Sequence, residues 1–169
     1  MTDLDIKIFY AINGLAGKSN FWDQVFVFFA EYALWIFGAV LVVYLFVNRK
    51  IFWTGLASVI LSRAIFTVII RYLYPRPRPF LTLLNVRQLI EKNGAEPAFP
   101  SGHTAIVFSI AFTVYLFNKK MGVILIVAAL IFTFARIYVG VHYPTDILGG
   151  IGVAAIAVYI VDKIKQKKI

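Results

Sequence analysis

The chain contains no cysteine, which excludes disulfides, thiol catalysis and cysteine-ligated metal. Acidic residues are scarce, 8 against 17 basic, and there are only two histidines. Charged residues of both signs make up 15% of the 169 positions; a soluble domain carries roughly 25%. The remainder is strongly apolar, 61% hydrophobic and 17% aromatic, with a mean hydropathy of +0.83. Long apolar runs separated by short charged clusters exclude a disordered chain, a nucleic-acid-binding domain and a water-soluble enzyme. The composition is that of a small integral membrane protein with a single domain, residues 1–169.

Five apolar runs approach the roughly 17–25 residues that a bilayer crossing needs. They lie at Asp23–Arg49 (interrupted by Glu31), Ile51–Ile70 (interrupted by Arg63), Ser101–Phe117, Met121 to Arg136 and Tyr138, and Ile147–Val161. Ahead of them, Leu4, Ile6, Ile8, Phe9, Ile12 and Leu15 alternate with Asp3, Asp5 and Lys7. That stretch is too polar for a signal peptide and reads as an interfacial amphipathic helix over residues 1–20. The expected fold class is all-α: a polytopic membrane helical bundle of about five transmembrane helices plus this N-terminal helix.

Five crossings place the two ends on opposite sides. One side receives Arg49-Lys50, Lys119-Lys120 and the tail lysines 163, 165, 167 and 168, which the positive-inside rule makes cytoplasmic. The other receives the N-terminal helix, the turn around His142 and a proline-rich loop over residues 74–100. Loops of that length inside a compact domain are functional or disordered. The basic excess therefore marks topology and contact with the lipid bilayer; charges divided among three short loops do not suit nucleic acid. Oligomeric state is not legible.

Three polar constellations fall on the outer side. Arg71, Arg76 and Arg78 occur with Pro75, Pro77 and Pro79; guanidinium forks suit phosphate oxygens, though arginines at a span end also anchor to headgroups. Pro100-Ser101-Gly102-His103 opens an apolar helix, where an N-cap serine, a small glycine and free amides favour an anion. A plain helix cap followed by an interfacial histidine is the alternative. In the third, Pro144 starts the last helix and leaves His142 on the preceding turn, within reach of Asp146. A carboxylate holding one imidazole nitrogen frees the other as base or nucleophile; a structural His–Asp bond is the alternative. Metal binding by the two histidines and Asp146 is disfavoured by the four surrounding arginines, Arg71, Arg76, Arg78 and Arg136, the last of which opens the third constellation.

Taken together, these motifs resemble the type 2 phosphatidic acid phosphatase superfamily, which includes the vanadium haloperoxidases. The family pattern is lysine, six residues, Arg-Pro; then Pro-Ser-Gly-His; then Ser-Arg, five residues, histidine, three residues, aspartate. Here Arg71 takes the lysine position before Arg78-Pro79, Pro100–His103 matches in full, and Arg136, His142 and Asp146 hold the third spacing, with Ala135 in place of serine. The resemblance implies that His142 attacks phosphorus to form a phosphohistidine, that Asp146 orients it, and that His103 protonates the leaving oxygen and then activates water. It implies that Arg71, Arg78, Ser101, the Gly102 amide and Arg136 hold the phosphate oxygens, with no metal or other cofactor. Arg71 in place of lysine keeps the charge and changes the geometry.

The expected protein is thus a lipid phosphatase of a bacterial-type cytoplasmic membrane, its site opening outward. Candidate substrates are undecaprenyl diphosphate, lipid A 1-phosphate, phosphatidylglycerol phosphate and phosphatidic acid. A lipid-to-lipid phosphotransferase using the same histidines is the first rival, and a non-enzymatic lipid-binding or flipping protein the second. Outside the pattern, Arg76 reads as a headgroup anchor, with contact to a second phosphate or a sugar as the alternative; Arg63 and Glu31 read as a buried ion pair ahead of a substrate role for Arg63, and Gly149, Gly150 and Gly152 as close helix packing.

Overall fold

A computed structural model describes residues 2–167, so Lys168 of the basic tail lies outside the described residues. Its regular elements are all helical. They are α1 (Asp3–Asn13), α2 (Asn20–Val47), α3 (Arg49–Leu73), α4 (Pro79–Thr82), α5 (Gly102–Phe117), α6 (Lys119–Tyr138) and α7 (Pro144–Gln166). Four of them, α2, α3, α6 and α7, are long and apolar enough to cross a membrane, and α5 is a shorter apolar helix. The five expected spans are therefore present, each within a few residues of its expected bounds.

The turns between them follow from the sequence. Asn48 ends α2 and caps α3, its side chain accepting from the Lys50 and Ile51 amides. Asn118 does the same between α5 and α6, accepting from the Met121 amide. Each asparagine satisfies orphan N–H groups at a helix start, and the basic residues that follow extend the helix beyond its apolar run.

The shortest span, α5, is the hub. Its 16 residues rise only about 24 Å, and it packs against α2, α3, α6 and α7. Buried positions occur all round it, including Thr104, Val107, Phe108, Ile110, Ala111 and Val114. A helix with no polar stripe belongs in the interior. Trp35, Phe46, Trp53 and Tyr72 are exposed on the surrounding helices, as a lipid-facing surface requires.

Gly150 lets α7 approach the start of α5: a Cβ there would lie 2.7 Å from the Ser101 carbonyl oxygen and from Thr104. Gly149 similarly meets the Phe99 ring. Gly152 does not share the expected packing role, since its face is open and nothing lies within 4 Å.

Within α3, Ile60–Phe66 is wound as a π-helix. The Thr67 hydroxyl donates to the Ser62 carbonyl at 2.8 Å, and the Ser62 and Ser109 hydroxyls join α3 to α5 at 2.8 Å. In an ideal α-helix Arg63 and Arg71, eight residues apart, would be offset by about 80°. The wider π turn takes fewer degrees per residue and closes that offset.

Helix α1 buries Asp5, Phe9 and Asn13 and exposes Leu4 and Ile8. Asn13 donates to the Tyr138 and Arg87 carbonyls and accepts from the Arg87 amide, tying α1 to the long loop and to the end of α6. At the opposite end of the bundle the Lys165 ammonium donates to Lys50 and Thr54, so the basic clusters gather away from α1.

Candidate active site

At the end of the bundle that carries α1 and the 74–100 loop, a cavity of about 220 Å³ is lined by His103, His142, Arg63, Arg71, Arg78 and Arg136, among others. All three constellations meet there, although they come from different helices.

Gly140 brings His142 to this point. It has φ of +82° and ends α6, with its own amide donating to Ile137 and the Val141 amide to Arg136. A left-handed residue just past a helix end suits glycine. The chain reverses, and Pro144 at the first turn of α7 starts the next helix. His142 is thereby held one helical turn from Asp146, with Nδ1 3.4 Å from Asp146 Oδ2. Its Nε2 faces Arg78 Nη1 at 3.5 Å. A guanidinium only donates, so this arrangement puts the ring proton on Nδ1, toward Asp146, and a lone pair on Nε2. Burial, followed by the charges of Arg136, Arg78, Arg71 and Lys92, holds the imidazole well below its usual value. His142 is therefore neutral at physiological pH, the state a nucleophile requires.

Asp146 is fully buried. Its Oδ2 accepts from the Tyr143 amide at 2.8 Å and its Oδ1 from Arg76 Nη1 at 2.8 Å. Arg76 is also buried; its Nη2 donates to Asp5 Oδ2 at 2.5 Å, and its guanidinium lies 4.1 Å from the centre of the Tyr143 ring. Asp5 in turn accepts from the Thr145 amide at 3.0 Å and from its hydroxyl at 2.7 Å. Arg76 is thus not a headgroup anchor. It bridges two buried carboxylates and links α1 to the residue behind His142.

Three of the cavity-lining arginines are held through part of their donor sets. Arg71 donates Nε and Nη2 to the Pro100 carbonyl, Arg78 donates to the Glu96 and Val141 carbonyls, and Arg136 donates Nη1 to Ala30. Arg136 is buried, yet its Nε and Nη2 have no partner among the described residues. The Glu96 carboxylate sits 3.4 Å from Arg78 and 3.9 Å from Arg71. Gly102 and His103 line the cavity, whereas Ser101 does not. The Ser101 hydroxyl accepts from the Thr104 amide as a helix cap, and its own amide donates to the Asp146 carbonyl.

Arg63 does not pair with Glu31. Glu31 is exposed on α2, no ion pair joins the two among the described residues, and the π turn directs Arg63 into the cavity instead. Asp5, Lys92 and Glu96 were not expected at the site. The spacing of Asp5, Phe9 and Asn13 at i, i+4, i+8 was the available signal for Asp5.

A multi-pass helical bundle that gathers two histidines and four arginines in one cavity has the makings of an integral membrane phosphatase, and the relatives bear this out. Its family is the PAP2 superfamily, whose model matches residues 51–169, and the chain belongs to it. It is 33% identical to the undecaprenyl-diphosphatase BcrC of Bacillus subtilis (strain 168) over 158 residues, covering 90% of this chain and 80% of that one. It is 25% identical to a lipid A 4'-phosphatase of Bacteroides thetaiotaomicron over 163 residues, covering 89% and 72%. The crystal structure of Aquifex aeolicus LpxE superposes with a TM-score of 0.85 at 25% identity, over 96% of both chains.

Proposed function

We propose that this lipid phosphatase removes the terminal phosphate of a membrane lipid phosphate or diphosphate through a phosphohistidine on His142. Nε2 of His142 attacks phosphorus while Asp146, steadied by Arg76, holds Nδ1–H and stabilises the imidazolium-like product. His103 gives a proton to the departing oxygen, and then takes one from the water that cleaves the phosphohistidine. Arg71, Arg78 and Arg136, together with the Gly102 amide at the start of α5, neutralise the charge that develops on the phosphoryl oxygens. Ser101 supports that helix end as its cap.

The observation that carries this reading is the pair of unpartnered nitrogens on buried Arg136, which lines the cavity with His142. A buried guanidinium with donors left over is costly unless an anion meets them. The leading substrate is undecaprenyl diphosphate, in line with the relative named for it; lipid A phosphate, phosphatidylglycerol phosphate and phosphatidic acid follow. The enzyme sits in a cytoplasmic membrane with the cavity end facing outward, in keeping with the basic clusters at the opposite end.

The test is a phosphate-release assay on the purified protein across a panel of these lipids, without an acceptor lipid. Inorganic phosphate released from at least one of them is the expected result. Consumption only when an acceptor lipid is added would replace hydrolysis with phosphotransfer.

A further inference from the structure

Five cationic side chains line the cavity, Arg63, Arg71, Arg78, Lys92 and Arg136, against the single carboxylate of Glu96. Arg71, Arg78 and Arg136 are the arginines assigned above to the transferred phosphoryl group. Arg63 and Lys92 lie outside that set, and neither is ion-paired with a carboxylate among the described residues.

Their positions are built. The π segment of α3 turns Arg63 inward, and its guanidinium stem packs directly on Gly102: a Cβ there would lie 2.7 Å from Arg63 Nε and 3.0 Å from its Cδ. Glycine at this position therefore makes room for Arg63 beside His103, as well as exposing an amide. Lys92 reaches the same cavity from the long loop. Burial, and then the charges of Arg136 and Arg78, push its ammonium below the usual lysine value, so a second anion nearby would stabilise it.

We infer that Arg63 and Lys92 form a second anion subsite that holds the non-transferred phosphate of a lipid diphosphate. The inference rests on the assignment of His142 as nucleophile and His103 as acid. In the step it serves, the His142 Nε2–phosphorus bond forms as the bond from the terminal phosphorus to the bridging oxygen breaks. The lipid monophosphate leaves with the electron pair and the His103 proton, and Arg63 and Lys92 stabilise the charge it retains. Water then attacks the phosphohistidine, returns a proton to His103, and frees inorganic phosphate and His142.

The experiment compares a polyprenyl diphosphate with the monophosphate of the same lipid in the wild type and in Arg63→Gln and Lys92→Gln. Each substitution should lower kcat/KM for the diphosphate by roughly tenfold or more beyond its effect on the monophosphate, as loss of a charge-assisted contact to one phosphate requires. Equal losses for both lipids would overturn the subsite. In the wild type alone, methylenediphosphonate should inhibit monophosphate hydrolysis at concentrations roughly tenfold below inorganic phosphate, which keeps the test open if a variant fails to fold. Equal inhibition by the two anions would also overturn it. Failure of the underlying assignment looks different: His142→Ala would retain turnover of both lipids.

Discussion

His142 is reached from behind by a chain of buried charges, Asp5 to Arg76 to Asp146, and shares its cavity with Arg136, whose Nε and Nη2 are unpartnered among the described residues. The two histidines should separate by leaving group. His142→Ala abolishes turnover of every substrate. His103→Ala slows phosphoenzyme formation more from phosphatidic acid, whose alkoxide needs a proton, than from a lipid diphosphate, by about tenfold or more within the usual 10²–10⁴ of acid catalysis. Single-turnover rates check this, and equal losses would remove His103 from the acid role. Asp5 gives a pH prediction. Burial would raise its carboxyl, but the hydrogen bonds of Arg76 and Thr145 and the Arg76 charge together leave it below the usual carboxylate range. Its contribution is therefore present above the unfolded value of about 3.9 and is lost as pH falls through the lower folded value. Asp5→Asn should lower stability at neutral pH by about 1–3 kcal/mol, and the difference from wild type should shrink toward zero in strong acid. Thermal unfolding in detergent at several pH values measures it. The motif residues were legible because each lies in a short, fixed spacing. Asp5 was not: its partners are 71 and 140 residues away, and reading the helix as interfacial gave no sign that its Asp5 face is buried.

At the scale of elements, the central helix and its neighbours are set by small residues. Gly150→Ala forces α7 from the start of α5, where the Ser101 amide meets the Asp146 carbonyl at 2.9 Å. It should cost about 1–3 kcal/mol and reduce activity through the displaced His142–Asp146 pair. Gly152→Ala, on an open face of the same helix, should be neutral or stabilise by up to about 1 kcal/mol. Stability in detergent with phosphate release on the same samples separates the two. Helix existence and ends were readable from apolar runs bounded by Asn-Arg-Lys and Asn-Lys-Lys. The π turn was not legible; within it Ser62 pairs with Ser109 on another helix, a contact that no local spacing announces. Arg63 and Glu31 share a similar depth along their helices, but depth does not give the direction in which Arg63 leaves α3.

For the whole molecule, hydropathy and spacing were enough for an all-helical membrane bundle, because a bilayer permits few alternatives to helices. What they could not give was how the long loop folds back, since Lys92 and Glu96 enter the cavity through contacts that no periodicity encodes. The proposed orientation is testable in the cysteine-free background. A cysteine at Asn93 should react with an impermeant reagent in intact cells and one at Lys119 should not; the reverse pattern would invert the topology. The central claim is tested most directly by trapping the intermediate. Purified enzyme in chelator is mixed with a terminally radiolabelled lipid diphosphate, quenched in alkali within one turnover, and mapped by mass spectrometry. The account predicts an acid-labile, alkali-stable phosphate on His142 that is absent from His142→Ala. Turnover with no labelled protein, a label on another residue, or turnover that appears only when a divalent metal is restored would contradict it.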